Sequence, residues 1–202
     1  MKSPFAAGVQ CRVLSKARYA MPPPVIPYLP QDLAEPIDVV AAVRARRGGT
    51  LLNLDRMLLH SPPLARGWNA FLGEVRRNLS LSPKLREIAI CGVAVINRAE
   101  YEFVHHAPEL LAAGGSTEQV EAMRGIAGMS PDLSVFSAVE RDVIRLTLAM
   151  TRDIEVTDEL LVRLQAALGN TETVELVGVI ATYNMVSRFL IALGITPEDD
   201  HH

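Results

Sequence analysis

Residues 98–108, Arg-Ala-Glu-Tyr-Glu-Phe-Val-His-His-Ala-Pro, gather two carboxylates, a phenol and two imidazoles between an apolar run (Ile88–Ile96) and a proline. Glu102 and His106 are four positions apart, so on a helix they share a face. A carboxylate beside an imidazole raises its proton affinity and fixes its tautomer, which gives an acid/base pair usable near neutral pH. On a solvated face the same two residues would be an ordinary helix pair worth a few tenths of a kcal/mol. His105 leaves a helix about 100° away from His106. The adjacent histidines are therefore poor joint metal ligands, and neither a metal nor another cofactor is expected. Glu102 with His106 is the pair a metal would use.

Glu87 lies near the start of the preceding apolar segment, where a carboxylate also suits the helix dipole. The fifteen residues from Glu87 to Glu102 would span about 22 Å on one straight helix, so the two meet only if the chain turns. Asn97 tolerates the left-handed conformation that ends helices, and it predicts that turn at Asn97–Ala99. Pro108 withdraws a donor from the Val104 carbonyl and predicts a local disturbance after His106.

The elements that must position these groups read as helices. Pro36 opens the segment Glu35–Arg46, which ends in a cationic turn and Gly48-Gly49. Leu51–Leu59 and Pro63–Arg76 follow with apolar periodicity. Ser82 and Pro83 start the central helix, and Ser116/Gln119 and Ser137/Glu140 form capping boxes. Thr157 caps a helix that stops at Gly169-Asn170, and Thr171 opens the last one, which stops at Gly194. Period-2 alternation and hairpin turns are absent. The prediction is an all-α single domain of roughly seven to nine helices. Ile88–Ile96 and Val174–Leu193 are apolar on more than one stripe, which places them centrally or in a subunit interface and predicts an oligomeric protein.

Composition narrows the function classes. A net charge of −3 and only 5% aromatic residues argue against nucleic-acid binding, which favours a basic face and stacking platforms. Ile88–Ile96 is too short for a membrane span, and Val174–Leu193 carries Glu175, Asn184 and Arg188, so no membrane partner is expected. The two cysteines, Cys11 and Cys91, lie 80 positions apart, which is neither a disulfide framework nor a zinc pattern and suits a reducing, cytoplasmic setting. Residues 1–31 hold Lys2, Arg12, Lys16 and Arg18 without an acidic residue and read as a poorly ordered basic, proline-rich arm, with Met21 as a candidate natural start. The helical domain is expected over 32–197, with a tail at 198–202.

Glu87, eleven residues, Ala99-Glu100-Tyr101-Glu102, three residues, His106 resembles the core motif of the AhpD-like superfamily of alkylhydroperoxidases and carboxymuconolactone decarboxylases. In its peroxidase branch a Cys-x-x-Cys occupies the places of Ala99 and Glu102. The phrase Leu81–Met123 and the stretch Val174–Gly194 are similar to the decarboxylase-like branch, and the likeness covers roughly residues 35–195. It implies an AhpD-like helical bundle assembled as a trimer or hexamer. With both redox cysteines missing, thiol peroxidase chemistry is disfavoured, because it needs an attacking thiolate and a resolving thiol. Cys91 reads as an inert core residue.

The motif then implies a cofactor-independent acid/base site of the lyase or hydrolase type, acting on a small organic acid or lactone by decarboxylation, lactone opening or isomerisation. Two carboxylates close together push one pKa upward and leave a proton donor. Glu102–His106 is the expected acid/base pair, Glu87 its orienter and Tyr101 a donor to a developing oxyanion. Arg188 is the expected partner of a substrate carboxylate, with His105 and Asn184 as further contacts. The plainer reading of Arg188 is a surface or intersubunit ion-pair residue. A helical oligomer that binds a small ligand without turnover is the alternative.

Overall fold

The computed structural model describes residues 24–198. The basic stretch with Lys2, Arg12, Lys16 and Arg18, Cys11, Met21 and the tail beyond Glu198 lie outside the described residues. Eight α-helices and no strand are present among them: α1 (Ile37–Arg47), α2 (Asn53–Leu58), α3 (Pro62–Arg77), α4 (Pro83–Asn97), α5 (Glu100–Ala112), α6 (Thr117–Gly125), α7 (Ala138–Arg152) and α8 (Asp158–Ala192). The all-α fold predicted from the punctuation is the fold observed. Gly169, at φ 77° and ψ 175°, breaks α8 into two arms where the sequence places a helix stop.

The hub is α4, which packs against α5, α7 and α8. Its run from Ile88 to Val93 is inaccessible to solvent on every face, which explains why its apolar residues fill more than one stripe. Gly92 lets α7 come close: a Cβ added there would stand 2.9 Å from Thr147 Cγ2. The helix starts follow their caps. Ser116 and Gln119 reciprocate at α6, as do Ser137 and Glu140 at α7. By length and composition α8 is long and apolar enough to cross a membrane, but half of its apolar window is buried inside the protein.

The turn between α4 and α5 differs in one residue from the expectation. Arg98, not Asn97, takes the left-handed conformation (φ 61°), and the Arg98 and Ala99 amides close on the carbonyls of Val95 and Ala94. The helix runs one residue further because the Asn97 side chain is used as a tether. Its amide donates to Asn184 Oδ1 (3.1 Å) and Ser187 Oγ (2.6 Å) on α8.

The ends of the described chain are stitched together rather than loose. Tyr28 Oη accepts from the Thr196 amide (3.0 Å), and Arg56 donates to the Leu29 carbonyl while covering the Tyr28 ring. Tyr28 and Leu29 pack on the core, so the last part of the expected arm belongs structurally to the helical domain. Glu198, assigned to the tail, is likewise bound, accepting from the Asn53 amide (2.7 Å).

Candidate functional site

Four helices bring the site together. The reversal at Arg98 lays α5 along α4, and this places His106 beside Glu87: Nδ1 to Oε2 is 2.6 Å, with both side chains about 5% exposed or less. Glu87 stands a full turn inside α4 and not in its first turn, so ion pairing rather than the helix dipole accounts for it. Its other oxygen pairs with Arg86 (3.1 Å). Burial opposes its charge, but the His106 hydrogen bond and Arg86 together hold the carboxyl below its usual range.

Arg76, from the last turn of α3, donates to His106 Nε2 (2.7 Å) and to Tyr183 Oη on α8 (2.9 Å). A guanidinium can only donate, so Nε2 must be an acceptor. The proton therefore sits on Nδ1, and His106 is neutral, donating to Glu87. Burial pulls the imidazole down to about 4, with Arg76 adding to that and Glu87 working against it.

Glu102 shares the His106 face of α5, as its spacing requires, and both line one cavity. The expected hydrogen-bonded Glu102–His106 pair is not formed, because Glu87 and Arg76 occupy both ring nitrogens. Glu102 is 2% exposed, and neither carboxyl oxygen has a hydrogen-bond partner among the described residues. Burial pushes its pKa well above the carboxylate range, and Arg76 offsets this only in part. A carboxyl so placed is a neutral acid.

The cavity is tight, about 40 Å³ as measured for water-sized spheres, and it opens outward. Its inner wall is apolar, with Leu72, Trp68, Tyr183, Val186 and Leu190, and Arg46, Arg47 and Arg76 stand on the polar side. A wider chamber of about 410 Å³ on the same measure shares Arg46, Arg47, Arg76, His105 and His106 and adds Arg77 and Arg86. The arginines crowd one another. Arg46 and Arg47 share the buried Asp55, and burial together with the Arg47 charge pulls Arg46 down to about 10.

The remaining expected residues fall in three places. Tyr101 lines the inner cavity, but its hydroxyl donates to Glu198 (3.2 Å), so it is not a free oxyanion donor. Tyr183 is the better phenol, because it accepts from Arg76 and its own proton has no acceptor among the described residues. Burial raises it to about 12 and keeps it protonated. His105 lines both chambers and pairs with Glu198 (2.9 Å). Arg188 and Asn184 line neither chamber: Arg188 donates to the Asn184 carbonyl and Oδ1 (2.9 Å each), in the polar knot that tethers Asn97. The cause is helical geometry. Arg188 follows Tyr183 by five residues, about 140° around the helix, whereas Val186 and Leu190 return to the Tyr183 face.

Among the described residues no group of three His, Cys, Asp or Glu side chains stands at metal-binding distances. Cys91 is inaccessible, and burial with Glu87 and Glu102 nearby pushes its thiol far up, away from thiolate chemistry.

Residues 62–140, which carry Arg76, Glu87, Glu102 and His106, match the sequence model of the carboxymuconolactone decarboxylase family. No curated protein sequence matches the chain significantly. Among solved structures, an uncharacterized peroxidase-related protein from Silicibacter sp. TM1040 superposes with a TM-score of 0.72 at 18% identity, over 94% of this chain and 97% of that one. A peroxidase-related protein with an alkylhydroperoxidase AhpD core, from Ralstonia eutropha JMP134, gives 0.72 at 19% identity over 90% and 95%. The debrominase Bmp8, a cysteine-to-alanine variant in complex with 2,3,4-tribromopyrrole, gives 0.68 at 15% identity over 85% and 91%. At these identities the likeness establishes the AhpD-like fold.

Proposed function

We propose that this carboxymuconolactone decarboxylase-like chain of AhpD-like fold is a cofactor-independent acid/base enzyme acting on a small organic acid or lactone. Its reaction is decarboxylation, lactone opening or isomerisation. The observation that carries the reading is Glu102, an unpartnered, nearly inaccessible carboxyl held in its acid form on the wall of a cavity. An acid kept neutral in this way can give a proton to a carbanion, an enolate or a leaving alkoxide as the substrate develops charge. His106, backed by Glu87, takes protons, and Glu87 stabilises the imidazolium. Arg46 and Arg76 replace Arg188 as the partners of the substrate's acid group, and the Tyr183 hydroxyl replaces that of Tyr101 at a developing oxyanion.

In a decarboxylation the C–CO₂ bond breaks, its electron pair passes into the adjoining carbonyl as an enolate, and Glu102 protonates the carbon. The Glu102 carboxylate then regains a proton from solvent. Self-association as a trimer or hexamer is part of the proposal. Support comes from Val162 and Val174, which leave 60% and 72% of their surface exposed between the two arms of α8. Light scattering checks that part.

The test of the activity is turnover of a panel of small keto acids and lactones by wild type, Glu102→Gln and His106→Ala, each verified as folded. Both variants should lose turnover. Rates equal to wild type would remove the proposed site, and peroxide turnover with a thiol reductant, persisting in Cys91→Ala, would replace the reading altogether.

A further inference from the structure

Arg76 holds a position that its neighbours do not share. Arg46 and Arg47 are paired with Asp55, and Arg86 is paired with Glu87. Arg76 makes no ion pair among the described residues. It spends Nε on a phenol and Nη2 on a neutral imidazole, both uncharged acceptors. Burial opposes the Arg76 charge and Tyr183, Glu87 and Glu109 offset that, but neither carboxylate stands within ion-pair distance, so an arriving anion would be its first direct charged partner. Beside it lie both chambers and the further cations Arg46, Arg47 and Arg77.

The same contact governs the base. With Nε2 accepting from Arg76, His106 has no lone pair to offer a substrate, and the adjoining cation opposes its protonation. We infer that Arg76 is an anion-operated cap on His106. An anionic group of the ligand engages the Arg76 fork, draws Nη2 away from the imidazole and leaves Nε2 open to the reacting proton. This rests on the reading of His106 as the base in the proposed function.

The chemistry follows from what each partner offers. A carboxylate gives a guanidinium two parallel charge-assisted hydrogen bonds, and the imidazole nitrogen gives one neutral bond. The exchange therefore favours the anion. Once the Arg76 charge is matched, His106 keeps only Glu87 as a close charge, and its proton affinity rises towards the range where a base works at neutral pH. Arg46, Arg47, Arg77, Arg86 and Glu109 line the chamber that His106 shares. The groups that face the ring directly are Arg76 from α3, Glu87 from α4, Glu102 and His105 from α5 and Tyr183 from α8. Of these only Arg76 supplies a full positive charge that a ligand can neutralise, since His105 is matched by Glu198. The device selects substrates that carry an anionic group next to the atom to be deprotonated. A neutral isostere of the same shape enters a site whose base stays capped. Arg76 is thus a positioning residue as well as an anchor.

The experiment uses the full chain with ¹⁵N-labelled histidine, the His106 ring signals being assigned by their loss in His106→Gln. Benzoate is the anionic probe and benzyl alcohol the neutral one. Occupancy is read from the fluorescence of Trp68, the single tryptophan, which lines the cavity. Saturating benzoate should raise the His106 midpoint by about one pH unit or more, and benzyl alcohol should leave it in place. In Arg76→Gln the midpoint should already be raised without benzoate and should not respond to it. Arg76→Lys, which keeps the charge if the glutamine variant does not fold, should respond less than wild type. Benzoate that changes Trp68 emission while His106 stays put would overturn the inference, and so would no benzoate response in either signal or a full wild-type shift in Arg76→Lys. The readout needs no turnover. A shifted midpoint together with normal rates in Glu102→Gln would leave the cap standing and remove the proposed activity.

Discussion

Glu87 and His106, nineteen positions apart in sequence, meet at 2.6 Å across the α4–α5 interface, and the contact fixes the imidazole with its proton on Nδ1. The pair exists because the chain reverses at Arg98, and everything proposed for the site is arranged around it.

Glu87→Gln tests that pair directly. The amide keeps the volume and can still accept from Nδ1, but it cannot stabilise an imidazolium. Turnover should fall roughly 10²–10⁴-fold, with benzoate affinity little changed. A rate drop matched by an equal loss of affinity would assign Glu87 to binding instead.

Two buried groups should give the stability opposed pH dependences that largely cancel between about pH 4.3 and 6.5 and leave a decline above that window. His106 has a folded pKa of about 4, below its unfolded value of about 6.5. The unfolded chain binds more protons between those values, so stability rises with pH across that window by up to ~3 kcal/mol. Glu102 has the opposite sign, because its folded pKa lies above its unfolded value. The folded chain then binds more protons as pH rises past about 4.3, and stability declines by at most about 1.4 kcal/mol per pH unit. Urea midpoints at several pH values for wild type and Glu102→Gln check this. The variant's advantage should grow with pH above that point, and a constant difference would mean that Glu102 titrates as an exposed carboxylate.

The sequence made one axis of this site legible and hid the other. Glu87, Glu102 and His106 lie on two consecutive helices joined by a short turn, so spacing alone could place them on facing surfaces. Arg76 and Arg46 were invisible for a physical reason: each ends a helix, where a basic residue also serves the helix dipole, and no local pattern tells a dipole partner from a buried ligand anchor. A cation such as Arg188 advertises binding, whereas a tyrosine in an apolar helix, such as Tyr183, reads as core. Which of the two meets the cavity depends on how α8 is rotated against α3 and α5, and that rotation is set by tertiary packing. The role of Glu198 depends on a long-range contact that no spacing encodes.

The closing contact of the chain gives a further prediction. Glu198 accepts from the Asn53 amide, Tyr101 Oη and His105 Nε2. Burial opposes its charge, but His105 and the Asn53 amide hold its carboxyl down to about 2. Glu198→Ala should destabilise by about 1–3 kcal/mol and lower the His105 midpoint. Burial pulls that imidazole down, and the Glu198 hydrogen bond, the Tyr101 carbonyl and the Glu198 charge together more than offset it. The contribution of the Glu198–His105 pair is full between about pH 4.3 and 6.5; it is lost as pH falls towards about 2 and as pH rises through the raised His105 value. Histidine NMR and urea melts read both effects.

Packing at the hub is tested by Gly92→Ala. The added methyl meets Thr147 Cγ2 at 2.9 Å, and Thr147 is fully buried with its hydroxyl donating to the Val143 carbonyl. It has no room to turn, so α4 and α7 must separate. The cost should be about 1–3 kcal/mol in urea melts, whereas Gly67→Ala on α3, with open space around it, should not show that clash.

The central claim is that Glu102 is a neutral acid inside the folded protein. Carboxyl ¹³C NMR of glutamate-labelled protein measures this with no substrate, the Glu102 signal being identified by its loss in Glu102→Gln. The expected result is a Glu102 midpoint standing well above those of the exposed glutamates. A midpoint among them would mean that the cavity holds a carboxylate, and the acid/base reading of the site would be wrong.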